Sequence, residues 1–143
     1  MIARHSIVLL SLFAMGILLY GCRRKEVIQT QYTRLLQNWK LVRIANDGNG
    51  NGVIDPSEIQ PVQEGYDDEI IFHGDSTGNE TVITNNLTTT YPFTWTMNAK
   101  DTIFRYGIGH DTIQYYLADI SSISLELTTN TTLGLAAYYF EKK

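Results

Sequence analysis

The clearest pattern in the chain is an alternation of large aromatic and small residues in its second half. Tyr91, Phe93 and Trp95 are separated by single Pro or Thr residues. A period of two places successive side chains on opposite faces of a β-strand. The segment therefore predicts a strand with three aromatic side chains on one face. These side chains belong either to an ordinary barrel core or to an aromatic wall that contacts a ligand.

Similar apolar segments recur from Trp39 onward, about every 8–12 residues. Short runs of Asn, Gly, Asp and Ser, which are typical of turns, separate them. The predicted strands are Trp39–Ala45, Glu69–His73, Glu80–Thr84, Tyr91–Met97, Thr102–Tyr106, Asp111–Leu117, Ser124–Thr128 and Leu133–Phe140. This spacing predicts an all-β fold in which an antiparallel meander of about eight strands closes into a barrel or sandwich.

The segment before the first strand has a different pattern. Residues 26–38 are mostly polar, with apolar residues at helical spacing, and predict a tether that leads into a short amphipathic helix. A rival interpretation continues this helix to Asp47, as the entry helix of an EF-hand. Val42 and Ile44 are β-branched and favour a strand there. The residues that also fit the longer helix are Tyr32, Leu35, Leu36, Trp39 and Val42.

The N-terminus has the pattern of a signal peptide. Arg4 precedes an uncharged, mostly apolar stretch from Ile7 to Tyr20, which is shorter than the roughly 20 residues of a membrane-spanning helix. The sequence Leu19-Tyr20-Gly21-Cys22 contains the only cysteine and resembles the lipobox of bacterial lipoproteins. The alternatives are an ordinary secretory signal or a plain membrane helix.

The lipobox resemblance implies that residues 1–21 are removed and that Cys22 is acylated, with palmitate as a typical chain. The lipid would anchor the protein in the cell envelope. Arg23 stands where an Asp would resemble an inner-membrane retention signal, so we expect the outer membrane, facing the periplasm. The expected organisation is a signal peptide over 1–21, a tether and short helix over 22–38, and a barrel over 39–143.

The barrel segment resembles a known family. Trp39-Lys40-Leu41-Val42 after a helical lead-in is similar to the first strand of bacterial lipocalin-like lipoproteins, and residues 69–78 and 93–95 continue the likeness. Gln37 and Ser76 stand where the family carries Gly. The resemblance implies a lipocalin-like barrel that binds a small apolar ligand or an envelope protein without catalysis. The alternative is an envelope enzyme or enzyme inhibitor on the same scaffold.

Residues 47–58 match the twelve-residue calcium loop D-x-[DN]-x-[DN]-G-x₅-E at every defined position. Ca²⁺ prefers six to eight oxygen ligands. Gly52 would supply the sharp turn, and Pro61 would end any exit helix after one turn. The alternative is an Asn/Gly-rich turn that binds nothing. The predicted ligands are the side chains of Asp47, Asn49, Asn51, Asp55 and Glu58 and the carbonyl of Val53.

Charge narrows the class of partner. The net charge is −4, and we expect no nucleic-acid partner, because neutralisation of phosphates needs clustered Lys and Arg. Asp67-Asp68-Glu69 is interpreted as the solvated entry of a strand.

Overall fold

The structure is a computed structural model that describes residues 31–100, 102–107 and 112–143. The predicted signal peptide, Cys22 and the first part of the tether lie outside these residues. Residues 34–143 form one compact unit. In the described part of the chain, no helix has both the length and the apolar character needed to cross a membrane.

The unit is a single antiparallel sheet whose strands pair with their neighbours along the chain, and whose first and last strands also pair. This closure makes the sheet a barrel and confirms the all-β prediction. The strands are β1 (Asn38–Asn46), β2 (Ile59–Pro61), β3 (Tyr66–Phe72), β4 (Thr77–Thr84), β5 (Leu87–Met97), β6 (Thr102–Gly107), β7 (Thr112–Ile120), β8 (Ser124–Thr131) and β9 (Gly134–Lys142).

The wall of the barrel has eight strand positions, because β2 and β3 share one edge of β1. The first half of β1 pairs with β3, and residues 43–45 pair with β2. All eight predicted strands are present, whereas β2 was not predicted. It is only three residues long and ends in Pro61, which lacks an amide hydrogen and is tolerated in a strand only at an edge or a bulge.

A short helix over residues 31–35 precedes the barrel, as predicted. The chain bends at residues 36–37, and β1 begins at Asn38. The rival EF-hand entry helix is therefore wrong, because Trp39 and Val42 lie in a strand that is paired on both sides. The indole N–H of Trp39 donates to the carbonyl of Leu35 at 3.0 Å, and Arg34 donates to the carbonyl of Ile120.

The barrel has two different ends. Residues 34–37 and the turns at 73–76 and 121–123 lie at what we call the helix end, and residues 47–58 and the turns at 85–86 and 132–133 lie at the loop end. Side chains fill the lumen near the helix end. The ring of Phe72 packs edge-on against Phe93 and Trp95, with centroids 5.6 and 5.3 Å apart. The largest fully buried side chains are Trp39, Trp95, Phe72, Leu35, Ile103, Leu125 and Leu127.

Candidate functional site

The lumen is accessible to solvent at the loop end. Residues that pair across antiparallel strands have side chains on the same face of the sheet. An exposed residue that pairs with a buried, inward-facing residue therefore also faces the lumen. Ile113 pairs with Arg105, which pairs with the buried Trp95. Ile113 is nevertheless 40% exposed. We call this region the lumen cup, and its inward-facing side chains include Ile44, Tyr66, Tyr91, Ile113 and Tyr138.

A cavity of about 460 Å³ lies at the β7–β8 side of the cup. This volume is within the range of sites that hold small molecules. The rings of Tyr115 and Tyr138 meet edge-to-face there, with centroids 6.0 Å apart. The lining residues include Ile113, Tyr115, Thr129, Thr131 and Tyr138. The cup therefore combines aromatic and aliphatic walls with hydroxyl groups.

A layer of charged side chains separates the cup from the packed half of the lumen. Arg105 on β6 forms an ion pair with Glu80 on β4, and its guanidinium lies 4.4 Å from the centre of the Phe93 ring. Asp68 on β3 accepts a hydrogen bond of 3.3 Å from the hydroxyl of Tyr66. We call Asp68, Glu80 and Arg105 the ionic layer. It contacts the core through Phe93 and the cup through Tyr66.

Asp68 is the least well satisfied member of the ionic layer. Asp68 is only 8% exposed, and its buried Oδ1 atom has no hydrogen-bond partner among the residues that the structure describes. Burial, and then the negative charge of Glu80, raise the pKa of Asp68 to about 6. Burial also raises the pKa of Tyr115 to about 12, so its phenol stays neutral. The ionic layer thus holds two carboxyl groups and one guanidinium group.

The predicted aromatic segment spans the boundary between core and cup. Phe93 and Trp95 are 2% and 1% exposed and pack in the core, and the indole N–H of Trp95 donates to the carbonyl of Thr77 at 2.9 Å. Tyr91, on the same face, is 42% exposed at the cup. Only Tyr91 of the three could reach a ligand in the cup without displacing core side chains.

The predicted calcium loop follows β1 at the loop end, and its first residue is firmly held. Asp47 is 5% exposed, and its amide donates to the carbonyl of Leu135 at 2.8 Å. Its carboxylate accepts hydrogen bonds from the amides of Asn51 and Gly52 at 3.1 and 2.8 Å. Gly52 has φ = 81°, a left-handed conformation that favours glycine. Asp47 therefore points into the loop, towards its other polar residues.

The remaining predicted side-chain ligands converge on the same interior. The amide groups of Asn49 and Asn51 both donate to Oδ2 of Asp55, at 2.8 and 3.2 Å. Glu58, at the end of a 3₁₀ turn over Pro56–Glu58, accepts from the amides of Gly48 and Asp55 at 2.8 and 2.9 Å. Hydrogen bonds thus hold all five side chains within the loop, and the amide nitrogens of Asn49 and Asn51, not their oxygens, face Asp55.

Two observations bear on a metal in this loop. Within the described ranges, no cluster of three or more His, Cys, Asp or Glu side chains is placed to hold a metal. The three carboxylates of the loop, Asp47, Asp55 and Glu58, therefore do not form such a cluster, although carboxylate and amide oxygens are the kind of ligand that Ca²⁺ takes. Val53, predicted to offer its carbonyl, is 59% exposed. The donor set fits calcium in chemistry, and each carboxylate is held by amides of the loop.

The ionic layer was not predicted from the sequence. Asp67-Asp68-Glu69 was interpreted as a solvated strand entry, which is wrong for Asp68. The available signal was the period of two in β3, which places Asp68 on the same face as the buried Ile70 and Phe72. Glu80 and Arg105 come together only through the pairing of β4, β5 and β6, since each pairs with a residue of β5.

Comparisons with known proteins give one relevant structure. No protein-family model matches the sequence, and no curated protein matches it. Among solved structures, the chain is similar to a lipocalin-like protein from Bacteroides uniformis ATCC 8492, with 16% sequence identity and a TM-score of 0.44. The match covers 77% of this chain and 99% of that one. The barrel is defined by the strand pairing of this chain.

Proposed function

We propose that this protein is a non-enzymatic binding protein of the bacterial cell envelope, and that a small, largely apolar ligand occupies the lumen cup. The observation that carries the proposal is the exposure of inward-facing apolar side chains at one end of a barrel that is packed at the other. Ile113 and Tyr91 are 40% and 42% exposed although they face the lumen. A barrel of about eight strands is wide enough to hold one small ligand. A protein partner that inserts a side chain into the cup is the second candidate.

Binding of a neutral, environment-sensitive dye such as N-phenyl-1-naphthylamine tests this proposal. We expect saturable binding at one site per chain. Ile113→Trp should weaken it about tenfold or more, because the larger side chain fills the cup, whereas Ile123→Trp should leave it unchanged. Ile123 is 69% exposed in the β7–β8 turn at the helix end, away from the cup, so it controls for the added indole. Equal binding by both variants, or no binding by the wild type, would overturn the proposal.

We further propose that residues 47–58 bind Ca²⁺. The full match to the loop pattern, and the hydrogen bonds that hold Asp47, Asn49, Asn51, Asp55 and Glu58 within the loop, support this proposal. Three carboxylates supply the negative charge, and the loop lies beside the β8–β9 turn through the contact of Asp47 with Leu135. Calcium would therefore stiffen one rim of the lumen cup.

The third part of the proposal concerns location. We propose that the chain is anchored in the outer membrane, facing the periplasm, through acylated Cys22. The single cysteine within a lipobox-like sequence supports this proposal. The polar residues between Cys22 and the barrel would then form a tether. No further residue of the chain is needed for attachment, since two or three acyl chains anchor a protein stably.

A further inference from the structure

We propose that the lumen cup selects ligands that carry a protonated amine, and that Asp68 and Glu80 in the ionic layer bind this cationic group. The inference rests on the proposed function, because it names the class of ligand for the same cup. It makes the ligand an amphiphile: an apolar body against the walls of the cup and an ammonium group directed at the ionic layer.

The geometry of Asp68 points to a hydrogen-bond donor supplied by a ligand. A buried carboxylate oxygen without a hydrogen-bond partner is costly, since burial removes its water and nothing replaces it. Oδ1 of Asp68 is such an atom, since Asp68 is only 8% exposed. The other oxygen has one long bond of 3.3 Å to Tyr66. Tyr66 is 38% exposed at the cup, so a ligand that displaces its hydroxyl reaches Asp68.

The groups of the ionic layer specify the charge of the ligand group that binds there. Arg105 is engaged by Glu80 and by the face of the Phe93 ring. Among the described residues, Asp68 has no ion-pair partner, and the groups that influence it are Tyr66, Glu80, Arg105 and Asp67. Because its unpartnered atom is an acceptor, and the layer holds two carboxyl groups but one guanidinium group, a cationic N–H donor complements it. A ligand carboxylate would meet two carboxylates and an arginine that is already paired.

Three probes with the same eight-carbon chain separate the head group from the apolar body: octylammonium, 1-octanol and octanoate. Calorimetric titration of the full-length protein should show octylammonium binding about tenfold or more tightly than octanol, as expected for a charge-assisted hydrogen bond, with octanoate weakest. Asp68→Asn should remove the preference for octylammonium and leave octanol binding intact. Glu69→Gln is the control on the same strand, because Glu69 faces outward and pairs with Lys143 at 2.6 Å.

The folding of Asp68→Asn has its own check. The raised pKa of Asp68 means that the native state binds its proton more tightly than the unfolded state does, so this group destabilises the fold as pH rises from about 4 to above 6. Asp68→Asn should therefore melt at a higher temperature than the wild type at pH 8, and this difference should shrink towards pH 4. Octylammonium binding by the wild type should weaken below pH 6.

The outcomes separate the two proposals. Equal binding of octylammonium and octanol by the wild type, or an undiminished preference in a folded Asp68→Asn, overturns the amine selectivity and leaves the lumen cup as a binding site. Tightest binding of octanoate overturns it as well, since Arg105 would then be the recognition group. Failure of all three probes to bind, together with failure of the neutral dye, overturns the binding function itself.

Discussion

Glu58 illustrates how one side chain can organise a loop with or without a metal. Both of its carboxylate oxygens accept backbone hydrogen bonds, from Gly48 and Asn49 on one side and from Asp55 on the other. In a twelve-residue calcium loop, the glutamate at the last position is the bidentate ligand. The hydrogen bonds pre-position Glu58, so calcium would bind a loop that is already ordered. Binding would then cost little conformational entropy.

Replacement of Glu58 tests the calcium proposal. Only three of the predicted ligands are charged, so we expect a Kd of roughly 10⁻⁵ to 10⁻³ M, as in extracellular calcium modules. At a hundredfold excess over Kd, calcium should stabilise the wild type by about 2.7 kcal/mol. Glu58→Ala should abolish this stabilisation, and Mg²⁺ should substitute poorly because it requires octahedral geometry and retains its water. Differential scanning calorimetry with and without millimolar CaCl₂ measures the shift.

The control is Glu64→Ala, which removes an exposed glutamate between β2 and β3 outside the loop. Because Glu58 also holds backbone amides, its replacement lowers the melting temperature even without calcium, and only the calcium-dependent shift is diagnostic. The same melting temperature with and without calcium in the wild type would make the loop a turn that binds nothing.

At the scale of elements, the period of two was sufficient to predict the eight strands that form the wall. Local alternation reports which residues share a face, and strands longer than five residues repeat that signal several times. β2 carries it for three residues only, and it pairs with the part of β1 that lies beyond the three residues paired with β3. The ionic layer escaped prediction for a related reason: Asp68, Glu80 and Arg105 lie on three strands, and only the pairing register brings them together.

The contact between β4 and β5 offers a test of this register. Gly78 pairs with Phe93, and the aromatic ring lies over the glycine. A Cβ at this position would clash with the ring and would lie 2.6 Å from the carbonyl oxygen of Ile71. Gly78→Ala should therefore cost about 1–3 kcal/mol of stability, as overpacking of a core does. Urea unfolding, with the midpoint read at constant m-value, measures the loss.

Gly74→Ala is the matched substitution in the turn that precedes β4. A Cβ there would lie 3.6 Å from a methyl group of Leu36, an ordinary contact, and the backbone is not left-handed. We expect this variant to keep or slightly gain stability, because alanine reduces the conformational freedom of the unfolded chain. Equal effects of the two substitutions would contradict the register in which Gly78 faces Phe93.

At the scale of the whole molecule, the two ends of the barrel differ in side-chain packing and exposure. The helix end is packed by Trp39, Phe72 and Trp95, and it receives the chain from the N-terminal tether. The loop end carries the lumen cup and the proposed calcium loop. Residues 34–37 therefore enter the barrel at the end opposite the lumen cup.

Cys22→Ser tests the proposed membrane anchor. We expect the wild type to incorporate labelled palmitate and to sediment with outer membranes, since acyl chains on Cys22 would insert into the bilayer. The serine variant should incorporate no label and remain as an uncleaved precursor, because the thiol that accepts the first lipid is gone. The protein has no second cysteine that could substitute, so the comparison is clean. A wild-type protein that is cleaved away from Cys22 and recovered unacylated in the soluble periplasm would show instead that the first 21 residues are part of an ordinary secretory signal.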